Sequence, residues 1–203
     1  MEFVTSIAGL IAVVVAVRKS ASRAFLDVYI PVLLLLPMTY RWVLPALPDP
    51  TFEQSAILPI AAVWFFRERR RWRVTATDFL MFGLAIWSAT SEYLNAGYKE
   101  AQNAAFDALS TVVLPYALTK ALIEPQNLRT ALARRIVILL FAVSIISVYE
   151  FRMGMTPWSW MGRLFPGQGT EWTTTFRYGF TRIAGPYAHA ILAGLVLMTG
   201  YRL

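Results

Sequence analysis

The chain has 203 residues, of which 57% are hydrophobic and 15% are charged, and its formal net charge is +7. Soluble domains average about 45–50% apolar and about 25% charged residues, so this composition excludes an ordinary soluble enzyme, a disordered chain and a nucleic-acid-binding module. Cysteine is absent and histidine occurs once, which excludes a disulfide framework, a thiolate metal site and a multi-histidine metal site.

Seven apolar stretches follow one another along the chain, separated by polar or basic segments. They run over residues 3–17, 24–44, 52–66, 76–94, 104–122, 136–150 and 183–201. A helix needs about 20 residues to cross a hydrocarbon core, so the shorter stretches need aromatic or arginine side chains at their ends to complete a crossing. We predict an all-α, polytopic integral membrane helix bundle of seven transmembrane helices, with six or eight helices as alternatives.

Positive residues fall mainly on alternate connections between the predicted helices. The segments after the first, third and fifth stretches hold three, five and four of the 19 lysine and arginine residues, and Arg202 follows the seventh. Because basic short loops stay in the cytoplasm, these segments define the inner side, and the amino terminus lies outside. The basic run at residues 67–73 is then a topology determinant beside the anionic inner leaflet.

Four acidic residues lie close to the start of a predicted helix. They are Asp27, Glu53, Asp78 and Asp107. A carboxylate in the first turn meets the positive end of the helix dipole and unsatisfied N–H groups, so we interpret these four as capping or interface residues. Glu92, near the outer end of the fourth stretch, faces either a polar cavity or the membrane boundary, and we favour the boundary.

The longest connection, residues 151–182, is predicted to be an outer loop. Its aromatic residues are Trp158, Trp160, Phe165, Trp172, Phe176, Tyr178 and Phe180. A segment this aromatic is not a disordered chain, and a loop of this length is usually functional. We predict an element in the membrane interface at residues 157–160, a turn at 166–169, and a short strand or extended stretch at 172–180.

The outer loop also carries arginines on the side where positive residues are otherwise scarce. They are Arg152, Arg163, Arg177 and Arg182. Arginine presents a planar, permanently charged fork that suits bidentate recognition of phosphate. For Arg152 and Arg163 we favour a plainer interpretation, which is ion pairing with Glu150 and Glu171 or contact with lipid phosphates.

Arg182 differs from these because it directly precedes the seventh predicted helix. Pro186 suits the first turn of that helix and Gly185 suits its cap. The positive end of the helix dipole then lies at the outer surface beside Arg182, which predicts a binding site for a phosphate group. His189 lies one turn further on, where a chemical role competes with an ordinary packing role, and we favour packing.

The residues from Arg182 to Gly194 resemble the signature of the O-antigen ligase and polysaccharide polymerase superfamily. They read Arg-Ile-Ala-Gly-Pro-Tyr-Ala-His-Ala-Ile-Leu-Ala-Gly. In that family the motif reads Arg-x-x-Gly-x-Phe-x-His/Asn-Pro and opens a membrane helix after an aromatic outer loop. Tyr187 stands here in place of the phenylalanine and Ala190 in place of the proline. The match covers the chain by topology, but by residue only in this motif.

The resemblance implies a metal-independent glycosyltransferase without a cofactor, in the bacterial inner membrane. The distribution of positive residues then assigns the amino terminus to the periplasm. Such a protein transfers a glycan from an undecaprenyl diphosphate carrier to an acceptor glycan or lipid-linked sugar. The leaving group is a lipid diphosphate, so cationic donors must stabilise the charge that develops on it. We assign this role to Arg182 and the helix start at Gly185, with help from Arg177, and we expect no nucleic-acid partner.

Two parts of the family's machinery have no matching position, namely a general base in a second outer loop and a second arginine. We therefore expect residues 1–203 to be the amino-terminal part of a single transmembrane domain, with those parts beyond Leu203, and to be inactive alone.

A small transporter or flippase-like subunit for anionic substrates is an alternative function, although the chain lacks the related halves of typical transporters. A non-catalytic membrane scaffold is another. The sequence distinguishes neither ligase from polymerase nor one glycan from another.

A single introduced cysteine tests the predicted orientation. Because the chain contains no cysteine, Gly167→Cys provides one labelling site in the outer loop. We expect a membrane-impermeant maleimide to label it from the periplasmic side, whereas Arg70→Cys, on the predicted inner side, is labelled only after lysis. Protection of the cysteine at position 167 until lysis contradicts the orientation.

Overall fold

The computed structural model describes residues 2–43, 48–68, 74–166, 168, 176–187 and 189–202. Most of this part of the chain is helical, which confirms the all-α prediction. Its long helices are α1 (Thr5–Arg18), α2 (residues 21–35), α3 (residues 52–68), α4 (Ala76–Ala96), α5 (Tyr98–Ile123), α6 (Arg129–Met153) and α7 (Ala190–Arg202).

Shorter elements lie at the amino terminus and in the outer loop. Glu2–Val4 and Pro157–Arg163 are 3₁₀ helices. The strands β1 (Phe176–Arg177) and β2 (Phe180–Thr181) form an antiparallel hairpin in which Phe176 lies opposite Thr181. This hairpin confirms the predicted strand at its carboxyl-terminal end, and residues 172–175 lie outside the described part of the chain.

Three of the helices contain wide π turns. These turns cover Phe25–Tyr29 in α2, Trp64–Glu68 in α3, and Ala108–Val113 and Thr119–Ile123 in α5. Pro31 follows the π turn of α2, and Pro115 follows the first π turn of α5. Proline offers no N–H to the carbonyl four residues earlier and its ring crowds that carbonyl, so the preceding turn widens.

Each predicted apolar stretch contains a helix, but several helix ends differ from the predicted ends. α2 ends at Leu35 instead of residue 44, and α5 begins at Tyr98 instead of residue 104. Among the described residues, two helices, α5 and α6, are by length and composition long and apolar enough to cross a membrane. α1 and α7 are apolar but shorter.

Small side chains bring α1 close to α3. Ala8, Ala12 and Ala16 are buried and lie four residues apart, so they share one face of α1. A Cβ atom built on Gly9 would lie 2.7 Å from the backbone oxygen of Ser55 in α3. Small residues allow helix backbones to approach in this way, and the approach gives close packing between α1 and α3.

The helix ends that the sequence assigns to the inner side contact one another. The Ala21 N–H donates to Oε1 of Glu68 at 2.9 Å. The side-chain amide of Gln126 donates to the Ser22 hydroxyl at 2.7 Å. These two bonds join the connections that follow the first, third and fifth predicted helices, which are the connections that carry most of the positive charge.

Two of the four acidic residues lie in the first turn of a helix, as predicted. They are Glu53 in α3 and Asp78 in α4. Asp78 accepts the Thr75 N–H at 2.7 Å, which confirms its capping role. It also pairs with Lys120, whose Nζ lies 2.7 Å from both carboxylate oxygens, and accepts the Tyr116 hydroxyl at 2.7 Å. Asp78 therefore joins α4 to α5, a role that its position in the sequence did not reveal.

The other two acidic residues do not cap a helix. Asp107 lies well inside α5, because that helix begins at Tyr98, and it pairs with Arg41 at 3.3 Å. Asp27 lies in the second turn of α2 and pairs with Arg135 of α6. Each of these carboxylates meets an arginine that is distant in sequence, so its role is to join elements of the bundle.

Gly9→Ala tests the close contact between α1 and α3. The added methyl group would meet the backbone oxygen of Ser55, and overpacking of this kind costs about 1–3 kcal/mol. We expect a lower thermal unfolding temperature in detergent. Gly83→Ala in α4 is the matched control, because among the described residues no atom beyond its chain neighbours and its own helix backbone lies within 4 Å of its Cβ position. Two variants of equal stability would show that the helices do not touch at Gly9.

Candidate functional site

The motif residues that precede α7 form a turn instead of a helix. The Tyr187 N–H donates to the Ala184 oxygen at 3.1 Å, and helical structure begins only at Ala190. Gly185 has a φ of +60°, a backbone conformation that favours glycine. The predicted helix start at Pro186 is therefore wrong, because this left-handed turn lies between β2 and the helix.

Glu150, near the end of α6, binds this turn with both oxygens of its carboxylate. Oε1 accepts the Ala184 N–H at 3.0 Å and Oε2 accepts the Gly185 N–H at 2.9 Å. The side chain is buried, with 5% of the residue exposed. Two successive backbone N–H groups that converge on one anion form a nest, which is a known anion-binding arrangement. The turn thus binds an anion, and in this structure the anion is Glu150.

This contact replaces the ion pairs that the sequence suggested for Glu150. Arg152 and Arg163 are exposed, and among the described residues neither forms an ion pair. Glu171, the other suggested partner, lies outside the described part of the chain. The predicted role of Gly185 in binding a substrate phosphate stays a prediction, since its N–H here donates to Glu150.

Two aromatic side chains attach the outer loop and the motif turn to the end of α2. The Tyr187 hydroxyl donates to the Leu34 oxygen at 3.3 Å, and the indole N–H of Trp158 donates to the Leu35 oxygen at 2.7 Å. The last carbonyl groups of a helix have no partner within the helix. Tyrosine and tryptophan satisfy these carbonyls while they bury their rings.

The amino-terminal half of the outer loop belongs to the core of the bundle. Phe165 is 1% exposed and stacks on Tyr40 with ring centres 4.7 Å apart. The Gln168 side chain accepts the Arg41 N–H at 2.9 Å and donates to the Arg41 oxygen at 2.6 Å. The 3₁₀ helix that was predicted to lie in the membrane interface therefore has a buried face, which includes Trp158.

Arg182 occupies the stretch between β2 and the Glu150-bound turn. Its side chain is half-buried, and within the described ranges it makes no hydrogen bond or ion pair. The β-hairpin places Arg177 opposite Phe180, two residues before Arg182. The structure therefore brings Gly185 together with Glu150, leaves Arg182 two residues before the Glu150-bound turn, and places Arg177 on the adjoining hairpin.

His189 lies immediately before α7, where its carbonyl accepts the Ala193 N–H at 3.0 Å. The residue is exposed. Its side chain therefore does not pack inside the bundle, which differs from the favoured prediction. Among the residues that the structure describes, no group of three histidine, aspartate or glutamate side chains converges to hold a metal ion.

A polar cluster at the same end of the bundle was missed by sequence reasoning. The Gln54 side-chain amide donates to Asp107 at 2.7 Å, and the Arg41 guanidinium contacts the other oxygen of this carboxylate. Asp107 also borders a groove of about 430 Å³ between α4 and α5, together with Ser88 and Thr111. These residues are too far apart in sequence for a local pattern to reveal them. Arg41, a charged residue near the end of the second apolar stretch, is the one signal that the sequence offers.

Comparison with known proteins gives no relative for this chain. It matches no protein family, no curated protein and no solved structure. Any functional inference therefore depends on the motif at residues 182–194 and on the geometry that surrounds it.

Trp158→Phe tests the attachment of the outer loop to α2. Phenylalanine keeps an aromatic ring but loses the indole N–H, so the Leu35 carbonyl loses its donor at a cost of about 1 kcal/mol. We expect a lower thermal unfolding temperature and faster proteolysis within the outer loop. Trp160→Phe is the control, because Trp160 is 57% exposed. Equal effects of the two substitutions would contradict the attachment.

Proposed function

We propose that the protein is a membrane glycosyltransferase of the O-antigen ligase or polysaccharide polymerase type. It transfers a glycan from an undecaprenyl diphosphate carrier to an acceptor sugar at the periplasmic face of the bacterial inner membrane. The observation that carries the proposal is the motif turn, which Glu150 fixes two residues after Arg182. Within the described ranges Arg182 forms no ion pair, so its guanidinium is available to an anion from outside the chain.

We further propose that all seven helices cross the membrane in alternating directions, with the amino terminus in the periplasm. One line of support is the contact between alternate connections. Ala21 contacts Glu68 at the end assigned to the inner side, and Arg41 contacts Gln168 at the other end.

The exposed surface is a second line of support for this arrangement. Large apolar side chains on α4 and α6 face outward, including Phe79, Trp87, Phe141 and Val148. Soluble monomers rarely expose apolar patches of this extent, whereas a lipid-facing surface requires them.

The proposed chemistry breaks the bond between the transferred sugar and the diphosphate, and forms a bond to an acceptor hydroxyl oxygen. Negative charge develops on the departing diphosphate. A guanidinium binds phosphate oxygens through two parallel hydrogen bonds, and it does so more strongly where water is excluded. Arg182 supplies this group, and Arg177 on the hairpin is the second cation. The acceptor hydroxyl also loses a proton, and we assign no described residue to that step.

Arg182→Lys tests the proposed role of the guanidinium. Lysine keeps the positive charge but loses the fork, so we expect glycan transfer to fall by about 10²-fold or more while membrane insertion stays normal. Transfer is measured from the length and attachment of surface polysaccharide in cells in which only this codon is changed. Arg163→Lys is the matched control, because Arg163 is an exposed arginine of the same loop. Near-normal transfer by Arg182→Lys would exclude the phosphate-binding role.

A further inference from the structure

We propose that Glu150 is a positioning residue, which holds the motif turn so that Arg182 is presented to its substrate anion. This inference rests on the proposed function. Glu150 is distinct from the motif in sequence, since it lies 34 residues before Ala184 and belongs to α6. Its carboxylate is buried, and both oxygens accept backbone N–H groups of the turn.

The backbone of Arg182 is restrained from both sides by this arrangement. β2 ends at Thr181, and Glu150 holds the Ala184 N–H at 3.0 Å. Only Arg182 and Ile183 lie between these two fixed points, and a residue spans at most about 3.6 Å of chain. The position from which the Arg182 side chain extends is therefore set by Glu150 and the hairpin together.

The face of α6 that carries Glu150 also fits the turn sterically. A Cβ atom built on Gly185 would lie 3.7 Å from the Ser147 hydroxyl oxygen and 3.8 Å from Cγ1 of Val143. Val143, Ser147 and Glu150 are spaced four and three residues apart, so they form one surface of the helix. The turn rests on this surface, and the carboxylate at its end fixes the position of the turn.

The carboxylate does not compete for the guanidinium of Arg182. Both of its oxygens bind backbone N–H groups, and no ion pair joins Glu150 to Arg182 within the described ranges. Glutamine cannot reproduce this contact, because its amide offers one acceptor oxygen and places N–H donors against the second N–H of the turn. Aspartate retains both acceptors but is one methylene shorter.

A cysteine at Ile183 reports directly on how firmly the turn is held. In an Ile183→Cys background, otherwise free of cysteine, we compare Glu150→Gln with the control Glu92→Gln. Glu92 is an exposed glutamate of α4. We expect Glu150→Gln to raise the rate of labelling by a membrane-impermeant maleimide by about tenfold or more, since charge-assisted hydrogen bonds are lost. Glu92→Gln is expected to leave the rate unchanged.

Glycan transfer is measured in the same variants without the reporter cysteine. We expect Glu150→Gln to lower transfer and Glu150→Asp to recover part of both transfer and protection from labelling. Unchanged labelling in Glu150→Gln overturns the proposal. If Arg182→Lys abolishes transfer, then faster labelling of Glu150→Gln together with normal transfer also overturns it. If Glu150→Gln does not accumulate in the membrane, Glu150→Asp is compared with the protein that retains Glu150. Faster labelling of Glu150→Asp supports the proposal, and an unchanged labelling rate contradicts it.

The labelling measurement separates this inference from the proposed function. Labelling of the cysteine at position 183 depends on the turn and not on turnover. If Arg182→Lys transfers glycan normally, the proposed function fails, while the labelling rates still show whether Glu150 holds the turn.

Discussion

A buried carboxylate must be satisfied by hydrogen-bond donors, and this constraint organises the end of the bundle at which α6 ends. Glu150 obtains its donors from the backbone of Ala184 and Gly185. Because the turn is thereby fixed on α6, Tyr187 is placed where its hydroxyl reaches the end of α2. One charged group thus determines how α2, α6 and the start of α7 meet.

Other charged side chains act in the same manner at other helix contacts. Lys120 and Asp78 join α5 to α4, and Arg135 and Asp27 join α6 to α2. Apolar contact does not distinguish one apolar helix from another, so close packing and polar contacts do. The small-residue face of α1 supplies packing of this kind, whereas the ion pairs supply specificity.

The sequence predicts the number and order of the helices because hydropathy is a local property. It predicts their ends less well, since a helix end is set by hydrogen bonds. α5 starts at Tyr98, six residues before its apolar stretch, because polar residues also form helix when nothing terminates it. α2 stops at Leu35 because Pro37 disfavours the helical conformation at Leu36, although the next residues are apolar. Its last carbonyls are satisfied by Tyr187 and Trp158, more than 100 residues away.

In the candidate site too, a short sequence motif is recognised from neighbouring residues, whereas a contact between residues distant in sequence is not. The motif predicts a substrate phosphate at Gly185, but it cannot reveal that Glu150 binds the Gly185 N–H, since no short-range pattern links the two residues. Under the proposed function, this difference changes how a substrate phosphate would be recognised. With its N–H groups occupied by a carboxylate, the turn is not free to bind a second anion. Recognition then depends on side chains, and therefore on the planar guanidinium of Arg182.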